Sequence, residues 1–129
     1  MHPKTCGAVF RLTNPGVADN MAKPLLPMQG DVWWVNFDPT IGKEINKKRP
    51  CLIISPDDMN VHLGTVIAAP ITSTIKPWPT RVTVTLQRKK SSIALDQIRA
   101  IDRARLVKRM AQIDVEPALE VLREMFAPA

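Results

Sequence analysis

The sequence predicts a mainly β fold: a small, strongly bent sheet or barrel with short helices and one C-terminal helix. Three observations lead there. Short runs rich in β-branched and aromatic residues recur from residue 31 onward, each ended by Pro, Gly, Asp or Ser. Residues 81–86 read Arg, Val, Thr, Val, Thr, Leu, the alternation of a half-exposed strand. Near the C-terminus, Val115, Leu119, Leu122 and Phe126 fall at helical spacing and form one apolar stripe.

Residues 1–27 carry Pro3, Pro15, Pro24 and Pro27, two glycines and no sustained periodicity, so little burial would offset the entropy of ordering them. They are expected to be a flexible N-terminal extension, or to reflect a start set upstream of Met21 or Met28; residues 28–129 then form the folded domain. The first strand spans residues 31–37 and is broken by Asp38-Pro39. Trp33 and Trp34 occupy successive positions and face opposite sides, so at least one belongs to the core. A second, apolar strand covers residues 51–54, closed by Pro56. Between the two lies a polar, basic loop with Gly42, Glu44, Lys47, Lys48 and Arg49.

Asp57-Asp58 can cap a short helical turn that runs to Leu63 and stops at Gly64. Residues 65–71 are almost continuously apolar and read as a central strand, ended by Thr72-Ser73-Thr74. A loop with Lys76, Pro77, Trp78 and Pro79 leads to the alternating strand, and residues 88–92 read as a turn. Short strands at 93–95 and 98–101 flank Asp96-Gln97, and residues 106–113 supply one more. Asp114 is the expected N-cap of the last helix, with Pro117 tolerated in its first turn and the apolar stripe packed against the sheet.

A chain of 129 residues fits one domain with a real core. The net charge is +6, and ten of the eighteen Lys and Arg residues fall in three clusters, at 47–49, 88–90 and 103–109. Clustered positive charge favours a polyanionic partner, a nucleic acid or an acidic protein, over a neutral metabolite. Cys6 and Cys51 do not make a disulfide framework, and the longest uncharged span is too polar for a membrane helix. The expected setting is a reducing cytoplasm.

Two histidines, His2 and His62, and no cysteine pair at metal-ligand spacing argue against a zinc site, and phosphate-loop and dinucleotide fingerprints are absent. No cofactor is called for. Glu44 lies five residues before Arg49 on a loop pinned by strands, which sets a base and a fixed cation on one scaffold; from these residues alone a solvated charged hairpin loop is the plainer reading. A nuclease built from this inventory would rely on carboxylates, Arg, Lys and hydroxyls. RNA permits this, because its 2′-hydroxyl is a nucleophile already placed beside the scissile phosphate.

Four motifs resemble the MazF/PemK family of toxin endoribonucleases from toxin–antitoxin pairs: G-D-V-W-W-V-N-F-D-P-T-I-G-K-E at 30–44, R-P with C-L-I-I-S-P at 49–56, A-P-I-T-S at 69–73, and L-D-Q-I-R-A-I-D at 95–102. The resemblance implies an SH3-like barrel, usually a two-fold homodimer. It matches Arg49 and Thr72 to the family's catalytic Arg and Thr, and Glu44 to an acidic residue implicated in some members. Arg49 would stabilise the phosphate, Thr72 hydrogen-bond it, and Glu44 take the hydroxyl proton. Without the resemblance Thr72 reads as a turn residue.

One departure stands out. In the PemK branch an Arg two residues before the Asp of D-Q is thought to act as the acid, and Ala94 occupies that position here. Asp96 is therefore expected to lack that partner, and Asp96 and Gln97 read as RNA contacts, as a polar brace, or as a turn. For substrate grip, Phe37 and Trp78 are candidate stacking surfaces, Lys47, Lys48, Arg81 and Arg88 candidate phosphate contacts, and Ser73 a further contact beside Thr72.

The reading that results is a metal-independent toxin cutting single-stranded RNA, messenger RNA foremost, at a short sequence. Cleavage would leave a 2′,3′-cyclic phosphate and a 5′-hydroxyl, and a small acidic antitoxin would silence it. The alternative is a non-catalytic toxin of the same barrel type that binds DNA gyrase, as the CcdB poisons do; a plain RNA-binding barrel is a third.

Overall fold

The computed structural model describes residues 26–37 and 48–129. The expected N-terminal extension, up to residue 25, and the loop segment with Gly42, Glu44 and Lys47 lie outside the described residues.

Among the described residues seven strands and two α-helices follow one another: β1 (Asp31–Asn36), β2 (Lys48–Ile53), α1 (Asp57–His62), β3 (Thr65–Thr72), β4 (Arg81–Leu86), β5 (Lys89–Ala94), β6 (Arg99–Asp102), β7 (Leu106–Gln112) and α2 (Glu116–Met125). The strands make one antiparallel sheet in the order β4-β5-β3-β2-β1-β7. Strand β3 serves two partners along one edge: Thr65 to Ala68 pair with β6, whereas Ile71 and Thr72 pair with β5. The sheet therefore curls into a half-barrel, the mainly β architecture expected.

Alternation along the strands divides the apolar residues between two cores. Val32, Leu52, Ala69, Ile71 and Ile93 lie on one face, with Ala118 and Leu122 of α2 packed on them. Trp33, Val35, Phe37, Cys51, Ile53, Val66, Ala68 and Ile101 make the other. Burying both faces explains the near-continuous apolar run of β3. No helix among the described residues is long and apolar enough to cross a membrane.

Several elements differ from the sequence reading. Strand β2 begins at Lys48, not Cys51, because Lys48 and Arg49 pair with Asn36 and Val35, so the ladder satisfies backbone that looked like loop. The turn placed at 88–92 contracts to Gln87 and Arg88, at φ 51° and 67°, the pair of left-handed residues that a two-residue hairpin requires; Lys89 to Ser92 belong to β5. Helix α1 has Pro56 as its N-cap and no side-chain cap, and the Asp57 carboxylate accepts instead from the Gln29 backbone N–H at 2.7 Å. The N-cap of α2 is Val115, not Asp114 as expected, although the Asp114 carboxylate lies one residue earlier and accepts from Glu116 N at 3.1 Å. Phe126 leaves the expected stripe and is 73% exposed, since the buried face of α2 is carried by Ala118 and Leu122.

Two polar knots fix the strand ends. Gly30, at φ 94°, links β1 to both neighbours: its N–H donates to Ile53 O and its C=O accepts from Ile113 N, each at 2.9 Å. A Cβ there would stand 3.0 Å from Ile113 O. Asn60 is fully buried; its Oδ1 accepts from Ser55 Oγ and its Nδ2 donates to Pro27 O and Ser55 O, both at 3.1 Å. Asn60→Ala would strand three buried partners, so chemical denaturation should show a loss of about 2–4 kcal/mol. A change under about 0.5 kcal/mol would mean that the knot is immaterial to stability.

Candidate functional site

The sheet register gathers the site from four adjacent strands. Cys51, Ile53 and Ala68 lie on the second core's face, and side chains two residues apart on a strand share a face. Arg49 on β2 and Thr72 on β3 therefore project from that face. Thr72 pairs with Ser92, and Ala94 pairs with Arg81, which carries the same face on to β5 and β4. Ala94 and Arg81 stand one same-face row along from Thr72 and Ser92.

Two concavities meet at Arg49 and Thr72, which line both. The smaller, of about 180 Å³, is completed by Pro70, Thr74, Lys76, Arg81, Ala94 and Gln97. The larger, of about 380 Å³, includes Trp34, Lys48, Ser73 and Lys89. The Nε of Arg49 is buried and has no hydrogen-bond partner among the described residues. An always-charged guanidinium held this way keeps donors for an anion. The Thr72 hydroxyl accepts from Thr74 N at 3.1 Å, which leaves its proton to be donated elsewhere.

Beneath these groups the buried Cys51 thiol is pushed up to about 12 by burial, against the opposing pull of Arg49 and Arg99. It stays neutral at physiological pH and is packing, not a nucleophile. A further concavity, of about 580 Å³, is lined by Trp33, Leu106, Val107 and the cations Arg103, Lys108 and Arg109. It holds none of the expected site residues and no carboxylate or hydroxyl side chain for proton transfer.

Of the residues singled out in the sequence, Arg49, Thr72, Lys48, Ser73, Arg81 and Gln97 come together around the two concavities. Arg88 sits at the tip of the β4–β5 hairpin and lines neither. Glu44 and Lys47 lie outside the described residues. Phe37 is not an open stacking surface: its ring is 7% exposed, packed into the second core, with the Arg99 guanidinium 5.1 Å from its centroid. Trp78 is exposed, and Arg81 and Lys76 lie over its ring at 4.6 and 5.3 Å. Trp34 and Lys89 line the larger concavity but are not among the candidate site residues of the sequence, where Lys89 falls in the 88–92 stretch read as a turn.

Asp96 does not lack a cation. Arg81 Nε and Nη2 donate to its two oxygens at 2.7 and 3.3 Å, and Thr80 Oγ1 donates at 3.1 Å. Arg81, whose side chain is only 7% exposed, is thus no freely moving phosphate grip. Its hydrogen bonds hold the Asp96 carboxyl below the usual carboxylate range, with burial opposing. The pair therefore stays intact above the ordinary Asp value and is lost only as pH falls through the lowered one.

Comparison with known proteins places this geometry. Residues 28–125 match the family described as PemK-like, MazF-like toxin of type II toxin–antitoxin system. The chain is 33% identical over 81 residues to the endoribonuclease toxin MazF of Escherichia coli K12, an alignment covering 63% of this chain and 73% of that one. It is 35% identical over 98 residues to the endoribonuclease EndoA of Bacillus subtilis 168, covering 71% and 84%. Among solved structures, MazF of Deinococcus radiodurans superposes with a TM-score of 0.68 at 30% identity, covering 81% of this chain and all of that one. A MazE–MazF structure from the same organism gives 0.67 at 28% identity, covering 82% and 100%.

Proposed function

This chain belongs to the PemK-like, MazF-like toxin family of type II toxin–antitoxin systems, and from that premise we propose that it is an endoribonuclease toxin which cuts single-stranded RNA, messenger RNA foremost, at a short sequence without a metal ion. The observation that carries the reading is the convergence of Arg49 and Thr72, from neighbouring strands, on the line where two cation-rich concavities meet.

The chemistry follows from what such a site must supply. The substrate's 2′-hydroxyl attacks the adjacent phosphorus, the P–O5′ bond breaks, and a 2′,3′-cyclic phosphate and a 5′-hydroxyl result. Arg49 offers guanidinium donors to the phosphate as negative charge accumulates, and the Thr72 proton adds one more hydrogen bond. Glu44 is the proposed base, a role that the family resemblance supports. Lys48, Ser73 and Gln97 border the same concavities and suit the flanking phosphates and bases. The working form is a two-fold homodimer, and a small acidic antitoxin inhibits it by covering the basic groove; the net charge of +6 suits that partner.

Incubating the purified protein with a long RNA in excess EDTA and sequencing the new 5′ ends tests the reading. Cuts should share one short word and expose 5′-hydroxyls. Intact RNA together with tight binding to DNA gyrase would instead favour the non-catalytic toxin.

A further inference from the structure

We propose that Arg81 is a second guanidinium of the reaction centre, held by Asp96 and Trp78 so that it binds the non-bridging oxygens of the reacting phosphate opposite Arg49. This rests on the reading that cleavage takes place at Arg49 and Thr72.

Three features set Arg81 apart from a general phosphate grip. First, its place: it projects from the same sheet face as Arg49 and Thr72 and lines the smaller concavity with them. Ala94, its cross-strand partner, lines the same concavity, and its methyl group leaves that concavity open. Second, its restraint: Asp96 takes two of its nitrogens, and its guanidinium carbon lies 4.6 Å from the Trp78 ring centroid. Third, its remaining capacity: Nη1 makes no hydrogen bond among the described residues and is not a buried orphan.

A mobile surface Arg adds affinity equally to substrate and transition state. A guanidinium fixed before substrate arrives stabilises charge that develops during reaction, because no reorganisation is left to be done. Lys76, which lines the same concavity and also lies over Trp78, contributes a further positive charge but is held by no carboxylate among the described residues.

The test is steady-state and single-turnover cleavage of a short RNA containing the mapped word. Arg81→Ala should lower kcat by about 10²-fold with KM changed by less than about 3-fold, as for loss of one preorganised donor. Guanidinium ion at millimolar concentration should restore part of that kcat in a saturable way, and should do nothing for the wild-type protein. Arg81→Lys should not substitute, because an ammonium cannot hold Asp96 side-on and keep a second fork of donors. A raised KM at unchanged kcat would make Arg81 a flanking grip, and a lowered kcat with no guanidinium rescue would make it a structural brace; either overturns the proposal.

Should Arg81→Ala fail to fold, Asp96→Asn carries the test. Loosening Arg81 should lower kcat by about 10-fold with little change in KM, and an unchanged kcat overturns the assignment. Arg49→Ala run alongside separates the two levels. If Arg49→Ala cuts normally, the reading of the cleavage site itself fails; if it is inactive while Arg81→Ala keeps wild-type kcat, only the present inference fails.

Discussion

Arg49→Ala should reduce RNA cleavage by about 10²–10³-fold, equivalent to about 3–4 kcal/mol of transition-state stabilisation, as for loss of one oxyanion donor. The fold should survive. Arg49 lies at the start of β2, where its backbone pairs with Val35, and that pairing does not depend on the side chain. Its Nε is buried without a partner, and truncation removes a desolvated group and breaks no ion pair among the described residues. Thr72→Ala should cost less, about 10-fold, because it removes one neutral hydrogen bond. Single-turnover cleavage measures the rates, and a thermal melt checks that both variants are folded. A folded Arg49→Ala protein that cuts at the wild-type rate would remove Arg49 from the reaction.

How far the sequence disclosed all this depends on whether a signal is local. Strand β4 was legible to the residue because its alternation reports directly on a one-sided burial. The start of β2 was not, since Lys48, Arg49 and Pro50 look like loop until Asn36, Val35 and Trp34 are placed opposite them. Arg49 and Thr72 were legible only through resemblance. No spacing rule links residues 23 positions apart, and their meeting is a product of the β2–β3 register. The Arg81–Asp96 pair was illegible for the same reason, being closed by the β4–β5 hairpin and the 3₁₀ turn Leu95–Gln97. Phe37 misled because an aromatic at a strand end reads the same whether it faces solvent or Val35 and Ile101; only the second core decides.

Substituting deoxyribose for the single ribose 5′ to the cut should stop cleavage at that bond, by at least about 10³-fold, while leaving affinity nearly unchanged. The nucleophile assigned here belongs to the substrate, so its removal leaves Arg49, Thr72 and Arg81 with nothing to act upon. On the proposed reading affinity comes from elsewhere, from phosphates against Lys48 and the neighbouring cations that line the two concavities and from bases held there, and those contacts would not involve that hydroxyl. The unmodified RNA should be cut in excess EDTA and should yield a 2′,3′-cyclic phosphate, or the monophosphate formed when the ring opens. A nuclease that activates water on a metal ion would cut the substituted RNA, commonly leave a 5′-phosphate, and stop in chelator. Efficient cleavage of the substituted RNA at the same bond would therefore refute the 2′-hydroxyl mechanism, and with it the role of Glu44 as base. The phosphate-binding roles of Arg49 and Arg81 would outlive that result, because a pentacoordinate phosphorus needs its charge stabilised whichever oxygen attacks.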